Sequence, residues 1–296
     1  MPVKIVLKYV AGSSCPVSAR TRSSFPRHRP GLRCRVNFTH GYADNHGLRM
    51  YYEVHGRPVP GQPPLLLVPG GGSTIGTNFG ELIPVLAEQR QVIAVEEEGH
   101  GHTQPTGRPL TAENSGGDIL AVLDQLGVET VDVLGFSAGG HTAIALALAS
   151  PARVRRLIVA STFASRDAVP DEFWDTMAKA TLDDMPETYK DADRRLNPEP
   201  GHLERLFELD KRRILDFPGW SDEELGAIDA ATLVVGTDRD VVTAGYAARM
   251  AGAIPGARLL IVPGGHGDYL GEQAASGGDL RTIHATVPFL LRFLGG

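Results

Sequence analysis

The stretch that most restricts this chain is Val131-Asp132-Val133-Leu134-Gly135-Phe136-Ser137-Ala138-Gly139-Gly140. Its first half is an apolar run suited to a buried strand, and the residues through Ala149 suit an apolar helix, so Ser137 falls on the turn between them. A serine on so sharp a turn projects from the backbone, and side chains two positions to either side would collide with the neighbouring strand and helix. Gly135 and Gly139 remove those side chains. The helix that follows turns its unpaired N–H groups and positive dipole end toward the place where negative charge would develop, which makes the N–H of Ala138 a first oxyanion donor. The plain alternative is a serine that only caps the helix.

The rest of the chain repeats this alternation. Residues 49–55 read as a strand after a turn at Asn45-His46-Gly47, and 64–69, 91–95, 130–134, 156–161, 231–236 and 258–262 read as further strands. Residues 78–89, 117–126, 139–149, 244–253 and 278–293 have helical spacing. Strands alternating with helices predict an α/β fold, a mostly parallel central sheet with helices on both faces. One interval breaks the rhythm: residues 163–229 have no strand-like run and carry amphipathic helical stretches, which predicts a helical cap insertion over one end of the sheet.

Charge separates the first residues from the rest. Residues 1–36 hold eight of the 29 Lys/Arg and no Asp/Glu, leaving 21 basic against 35 acidic residues in 37–296, a net of −14. Residues 1–36 are therefore expected to be a basic, mobile N-terminal extension, and 37–296 the folded domain. An acidic body argues against nucleic acid as a partner. No stretch approaches the roughly 18 apolar residues of a membrane span and no secretory leader is evident, so no membrane partner and a cytoplasmic protein are expected. Both cysteines, Cys15 and Cys34, lie in the basic segment, so the main domain has neither a disulfide framework nor a cysteine metal site. A Cys15–Cys34 bridge would need an oxidising compartment.

Three loops at expected strand ends carry the remaining chemistry. Pro69-Gly70-Gly71-Gly72-Ser73-Thr74 follows the 64–69 strand, and glycines let its backbone aim an N–H at a bound carbonyl. Gly71 is the expected second oxyanion donor, with Gly72 as alternative. The same loop, with Glu96 at the end of the next strand, imitates an irregular dinucleotide fingerprint, a reading that leaves the Ser137 turn without a purpose. Thr237-Asp238-Arg239-Asp240 offers two carboxylates, one of which would orient a base. His266, in Gly264-Gly265-His266-Gly267, is the histidine that completes a serine, acid, histidine order at successive strand ends. His141 is expected to pack inside the fold, and His100 and His102 lack a third ligand at useful spacing, so no metal and no cofactor are expected.

With these motifs in order, the chain resembles the α/β-hydrolase superfamily, specifically its cap-bearing esterases, lactonases, carbon–carbon bond hydrolases and cofactor-free haloperoxidases. Val92–Gly101 is similar to the family strand ending in Asp-x-x-Gly-His-Gly, and Leu259–Gly267 to its closing strand and histidine loop. The resemblance covers residues 37–296 and implies Ser137, Asp240 and His266 as a catalytic triad, Asp240 being favoured over Asp238 by the family spacing. The chain departs from the family in having Pro69-Gly70 for His-Gly, Glu96 for Asp, and Thr237 where the acid loop usually has glycine.

Serine at 137 instead of aspartate speaks against dehalogenase and epoxide hydrolase chemistry, which need a carboxylate nucleophile. The resemblance thus implies hydrolysis of a carboxylic ester or lactone of a small, mostly apolar substrate through an acyl-enzyme. Phe136, Trp174 and Met177 are expected to line the substrate pocket. The alternatives are carbon–carbon bond hydrolysis or cofactor-free haloperoxidation at the same triad, and a non-enzymatic receptor for a small ligand.

Overall fold

In the computed structural model, which describes residues 38–276 and 280–295, eight strands form one sheet. They are β1 (Phe38–Asn45), β2 (Leu48–His55), β3 (Leu65–Val68), β4 (Val92–Glu96), β5 (Val131–Phe136), β6 (Val154–Ala160), β7 (Ala231–Thr237) and β8 (Arg258–Val262). Their spatial order is β1-β2-β4-β3-β5-β6-β7-β8. β2 runs antiparallel to both its neighbours, β1 and β4, and all the other pairs are parallel. The expectations for residues 1–36, for Cys15 and Cys34, and for the start of the last helix at Gly278 lie outside the described residues.

Strand periodicity explains the layers. Leu66, Val68, Val131 and Val133 point to one face of the sheet, where the helices Ala112–Gln125 and Ala138–Ala149 cover them. Leu65, Leu67, Leu134 and Phe136 point to the other, under Ile75–Phe79, Leu82–Ala87 and Arg281–Phe293. β3 and β5 are buried at every position, as expected for strands covered on both sides. Each fully buried Leu or Val contributes on the order of 1.5–3 kcal/mol.

The elements differ from the sequence reading at a few points. β1 carries His, Gly, Asp and Asn and is mostly exposed along its outer face, so its apolar signal is weak; the turn at His46-Gly47, both at positive φ, joins it to β2. The helix expected at 78–89 is two, Ile75–Phe79 and Leu82–Ala87. The helix expected from 117 starts at Ala112, because the Thr111 side chain caps it by accepting from Asn114 N at 3.1 Å, and Gly116-Gly117 obscures that start. Between β6 and β7 the chain forms the helices Asp171–Lys179, Glu187–Leu196, His202–Leu215 and Asp222–Gly226 and no strand.

The strand order places the functional loops. The chain leaves β3 toward β4 on one side, then crosses back over β3 to enter β5 on the other, so β3 and β5 flank a switch point and their carboxyl ends open into a crevice. The Gly70–Gly72 loop and Ser137 sit there side by side. The loops after β6, β7 and β8 follow along the same rim. No helix among the described residues is long and apolar enough to cross a membrane.

Candidate active site

Ser137 adopts φ 52° and ψ −121°, a conformation that L-residues avoid and that costs on the order of 1–3 kcal/mol. Neighbours hold it there. Ser137 N donates to Ala160 O at 2.9 Å, while Ser137 O accepts from Gly140 N at 2.9 Å and from Thr162 Oγ1 at 2.6 Å. The glycines flanking the serine have no room for a side chain: a Cβ on Gly139 would lie 2.2 Å from Pro69 O, and one on Gly135 would lie 2.4 Å from Gly139 O. The steric reason for the two glycines is thus close approach of strand, loop and helix backbones.

His266 Nδ1 lies 2.9 Å from Asp240 Oδ1 and 3.1 Å from Oδ2. That contact uses Nδ1 and leaves Nε2 as the second nitrogen of the ring. Asp238 is engaged elsewhere: its Oδ1 accepts from Gly264 N at 2.7 Å and so fixes the histidine loop, which Asp268 also braces through Gly265 N at 2.6 Å. Arg239 N donates to Gly264 O across the same gap. Burial opposes the charged form of Asp240, but the imidazole and its hydrogen bond, with a bond from Ser161, hold the carboxyl below its ordinary range. Burial likewise opposes protonation of His266, and Asp240 more than compensates, so the imidazole is held above its ordinary value. Ser161 sits at φ 48° at the end of β6 and accepts from Tyr269 OH at 3.1 Å.

The loop after β3 is braced from below and above. Gly70 N donates to Asn78 Oδ1 at 2.8 Å. Gly72 N, the alternative donor of the glycine loop, is already engaged with Asp210 Oδ2 at 2.5 Å. His100 Nε2 is 3.0 Å from the same carboxylate oxygen and its Nδ1 donates to Glu98 O. Burial lowers the affinity of His100 for a proton, but Asp210 outweighs it and raises the pKa to about 9, so the pair is ionic at neutral pH. Glu96 accepts from Ile75 N, His102 N and His102 Nδ1, so it organises the turns around the loop and is not free for a ribose hydroxyl. The fit of the longer Glu there depends on Gly101, where a Cβ would strike its carboxylate.

Ser137, Asp240, His266, Gly71 and Ala138 all line one cavity of about 260 Å³, which residues of the insert between β6 and β7 line from the other side. Met177 lines it, with Phe163, Phe173 and Phe207. Phe136 and Trp174 lie outside that lining. Phe136 points into the core below the serine, 4.8 Å from the His266 ring, because side chains alternate along β5. Trp174 sits half-buried behind the lining residues Phe163 and Phe173, edge-on to both at 5.7 and 5.1 Å, with its Nε1–H donating to Arg166 O and the Arg166 guanidinium over its ring at 3.8 Å. His141 is a core residue: it bonds Phe163 O, stacks on Phe217 at 3.9 Å, and burial with the nearby Arg213 pushes its pKa down to about 3. Among the described residues no cluster of His, Cys, Asp or Glu suits a metal ion.

Sequence reasoning missed the residues through which the insert grips the site. Asp210 and Arg213 lie in Asp210-Lys211-Arg212-Arg213 of the His202–Leu215 helix, a charge run that looks like a solvated face. Arg213 is instead buried, paired with Glu97 at 2.8 Å and donating to Ala138 O at 2.7 Å and Thr142 Oγ1 at 2.6 Å. Only the position of a charge relative to the buried stripe could have hinted at this: Leu203, Leu206 and Arg213 share the buried side of that helix.

Comparison with known proteins agrees with this fold. Residues 63–199 match the family model described as alpha/beta hydrolase fold. The putative carbamate hydrolase RutD of Caulobacter sp. (strain K31) is 30% identical over 241 residues, 74% of this chain and 89% of that protein. Among solved structures, the 2-hydroxy-6-oxo-6-phenylhexa-2,4-dienoate hydrolase of Rhodococcus sp. strain RHA1 superposes with a TM-score of 0.71 at 20% identity, covering 88% of this chain and all of that one. The N-acyl homoserine lactone degrading enzyme Est816 gives 0.66 at 23% identity, over 85% and 98%. The strained serine turn, the strand order and this extended similarity together show that the chain belongs to the α/β-hydrolase family.

Proposed function

We propose that this chain is a serine hydrolase that opens the carboxylic ester or lactone of a small, mostly apolar substrate through an acyl-enzyme on Ser137. The observation that carries this reading is the convergence of Ser137, His266 and Asp240 on one apolar cavity, with the imidazole already bonded to its acid. Ser137 Oγ attacks the carbonyl carbon as His266 Nε2 takes its proton. Asp240 stabilises the resulting imidazolium through Nδ1. The N–H groups of Gly71 and Ala138 receive the oxyanion, a donor of this kind being worth about 2.7–4 kcal/mol. His266 returns the proton to the leaving oxygen, and water then repeats the attack to free the acid and the serine.

The same sequence of steps serves a carbamate carbonyl, and the 30% identical relative named as a putative carbamate hydrolase favours including that class among candidate substrates. Labelling with a fluorophosphonate, followed by turnover of an ester, lactone and carbamate panel, tests the proposal. The label should attach to the native protein and be lost in Ser137→Ala. Labelling that survives in that variant, or native protein inert to the label and to the panel, would overturn it.

A further inference from the structure

The insert brings an ammonium group to the cavity that the hydrolytic steps do not use. Lys211, on the helix His202–Leu215, is the one Lys or Arg among the described lining residues, half-buried, with its Nζ 5.9 Å from the ring centroid of Phe207. It donates to Ala180 O at 2.8 Å and forms no ion pair with any described residue. Ala180 ends the helix Asp171–Lys179, so this bond also sets a cation at the negative end of that helix. That role takes one of the three donors of an ammonium and leaves two, along with its charge.

The acidic groups of the cavity are engaged elsewhere. Asp240 belongs to His266, Asp210 is paired with His100, and Asp184 accepts from Thr181 N and Oγ1 at 2.9 and 3.0 Å. Much of the remaining lining is apolar, with Phe163, Phe173, Met177 and Ile214. Solvent can serve the two donors of Lys211 when no ligand is bound. A ligand that fills the cavity displaces that solvent, and must either bring an acceptor or leave ammonium hydrogens unpaired among apolar groups, which is costly. A carboxylate meets the need: one negative charge for one positive, and two oxygens for two donors. A dianion would leave surplus negative charge in the cavity that Asp184 also lines. Lys211 comes from the insert, whereas Ser137 and His266 come from the sheet rim, so a chain that joins the two groups crosses the cavity.

We propose that Lys211 anchors a carboxylate carried by the substrate, so that the enzyme acts on acidic esters or lactones: an apolar chain with its scissile carbonyl at Ser137 and a carboxylate at its far end. This rests on the hydrolytic reading above and names its substrate class. Its test is the ratio of kcat/KM for each acid to that for its terminal primary amide, which keeps the shape and removes the charge. One series carries the acid on the acyl arm, as monophenyl esters of the diacids from succinic to suberic, read by phenol release above the uncatalysed rate. The other carries it on the alcohol arm, as acetates of the corresponding ω-hydroxy acids, read by acetate release. In the native enzyme at least one acid should lead its amide by about fivefold or more, as a charge-assisted hydrogen bond outweighs a neutral one. In Lys211→Met and Lys211→Gln that ratio should fall below one, because the carboxylate then enters apolar surroundings without a cation; the amides report any loss that comes from freeing Ala180 O. A native enzyme in which no acid leads its amide by that margin in either series, or a lead kept in either variant, overturns the proposal, and the native ratio decides if neither variant folds. Protein that takes the fluorophosphonate label and turns over the amides without preferring any acid sinks this inference alone, whereas protein that neither labels nor turns over either series sinks the hydrolytic reading with it.

Discussion

Asp240 Oδ1 lies 2.9 Å from Nδ1 of His266, whereas Asp238, two residues earlier on the same loop, accepts from the backbone N of Gly264 at 2.7 Å. The two carboxylates thus serve the same histidine in different ways, one through the ring and one through the loop that carries it. Under the proposed mechanism, Asp240→Asn should reduce kcat by about 10³–10⁴-fold through the wrong tautomer of His266. Asp238→Asn, which keeps an acceptor for Gly264 N, should reduce it by less than about tenfold, roughly the worth of one weakened neutral hydrogen bond. Steady-state kinetics on an activated ester separates the two.

The pH profile follows from the same pair. Under the proposed mechanism His266 must be neutral to accept the serine proton, and Asp240 holds its pKa above the ordinary histidine value against the opposing effect of burial. Activity should therefore fall on the acid side with a midpoint above that of a free histidine. In Asp240→Asn, burial is opposed only by the more distant Glu272 and Asp268, and the acid limb of kcat/KM should move to lower pH. A limb that stays in place would separate His266 from the base role.

The contact between His100 and Asp210 makes a stability prediction. His100 has a folded pKa raised to about 9, so its contribution is fully present below the unfolded histidine value and is lost as pH rises through about 9. Asp210 is shifted the other way: burial opposes its charge, His100 overcomes that, and its contribution is lost on acidification through the lowered folded value. The Tm advantage of the native protein over His100→Gln should be largest near neutrality and narrow toward pH 10. Thermal unfolding across that range measures it.

Arg213 joins the insert to the serine helix through Glu97 and Ala138 O, all buried. Arg213→Ala leaves the Glu97 charge without its guanidinium and should cost about 3–5 kcal/mol, read from urea unfolding. Arg213→Met combined with Glu97→Gln removes both charges and should recover much of that loss.

Gly139→Ala would place a methyl carbon 2.2 Å from Pro69 O, against backbone that cannot move without shifting the Gly70–Gly72 loop. The expected cost is at the upper end of overpacking, about 3 kcal/mol, together with loss of any esterase activity. Gly117→Ala is the control: a Cβ there meets nothing within 4 Å, and helix propensity should make it neutral or stabilising.

Legibility differed by the range of the forces involved. The helix at Ala244–Ala253 and the strand at Arg258–Val262 were readable to the residue, because local periodicity and turn residues specify them. The edge strand Phe38–Asn45 was not, since an exposed antiparallel strand needs little apolar content and takes its form from pairing with Leu48–His55. Trp174 and Phe136 were expected at the cavity on chemical type alone, yet Phe163 and Phe173 stand between the cavity and the first, and strand alternation points the second into the core.

Residue order by itself dictated the alternating architecture, the turn at Ser137 and the succession of Ser137, a loop with two carboxylates and His266, because periodicity, glycine placement and motif spacing act over a few residues at a time. The folded arrangement alone decided which of Asp238 and Asp240 meets the imidazole, that Gly72 is occupied by Asp210, and that Arg213 is buried. Two of those outcomes depend on groups more than a hundred residues apart, and the other on the direction a side chain takes from a loop. Hydrogen-bond partners of that kind are set by where the sheet and its insert bring backbones together, which spacing along the chain does not encode.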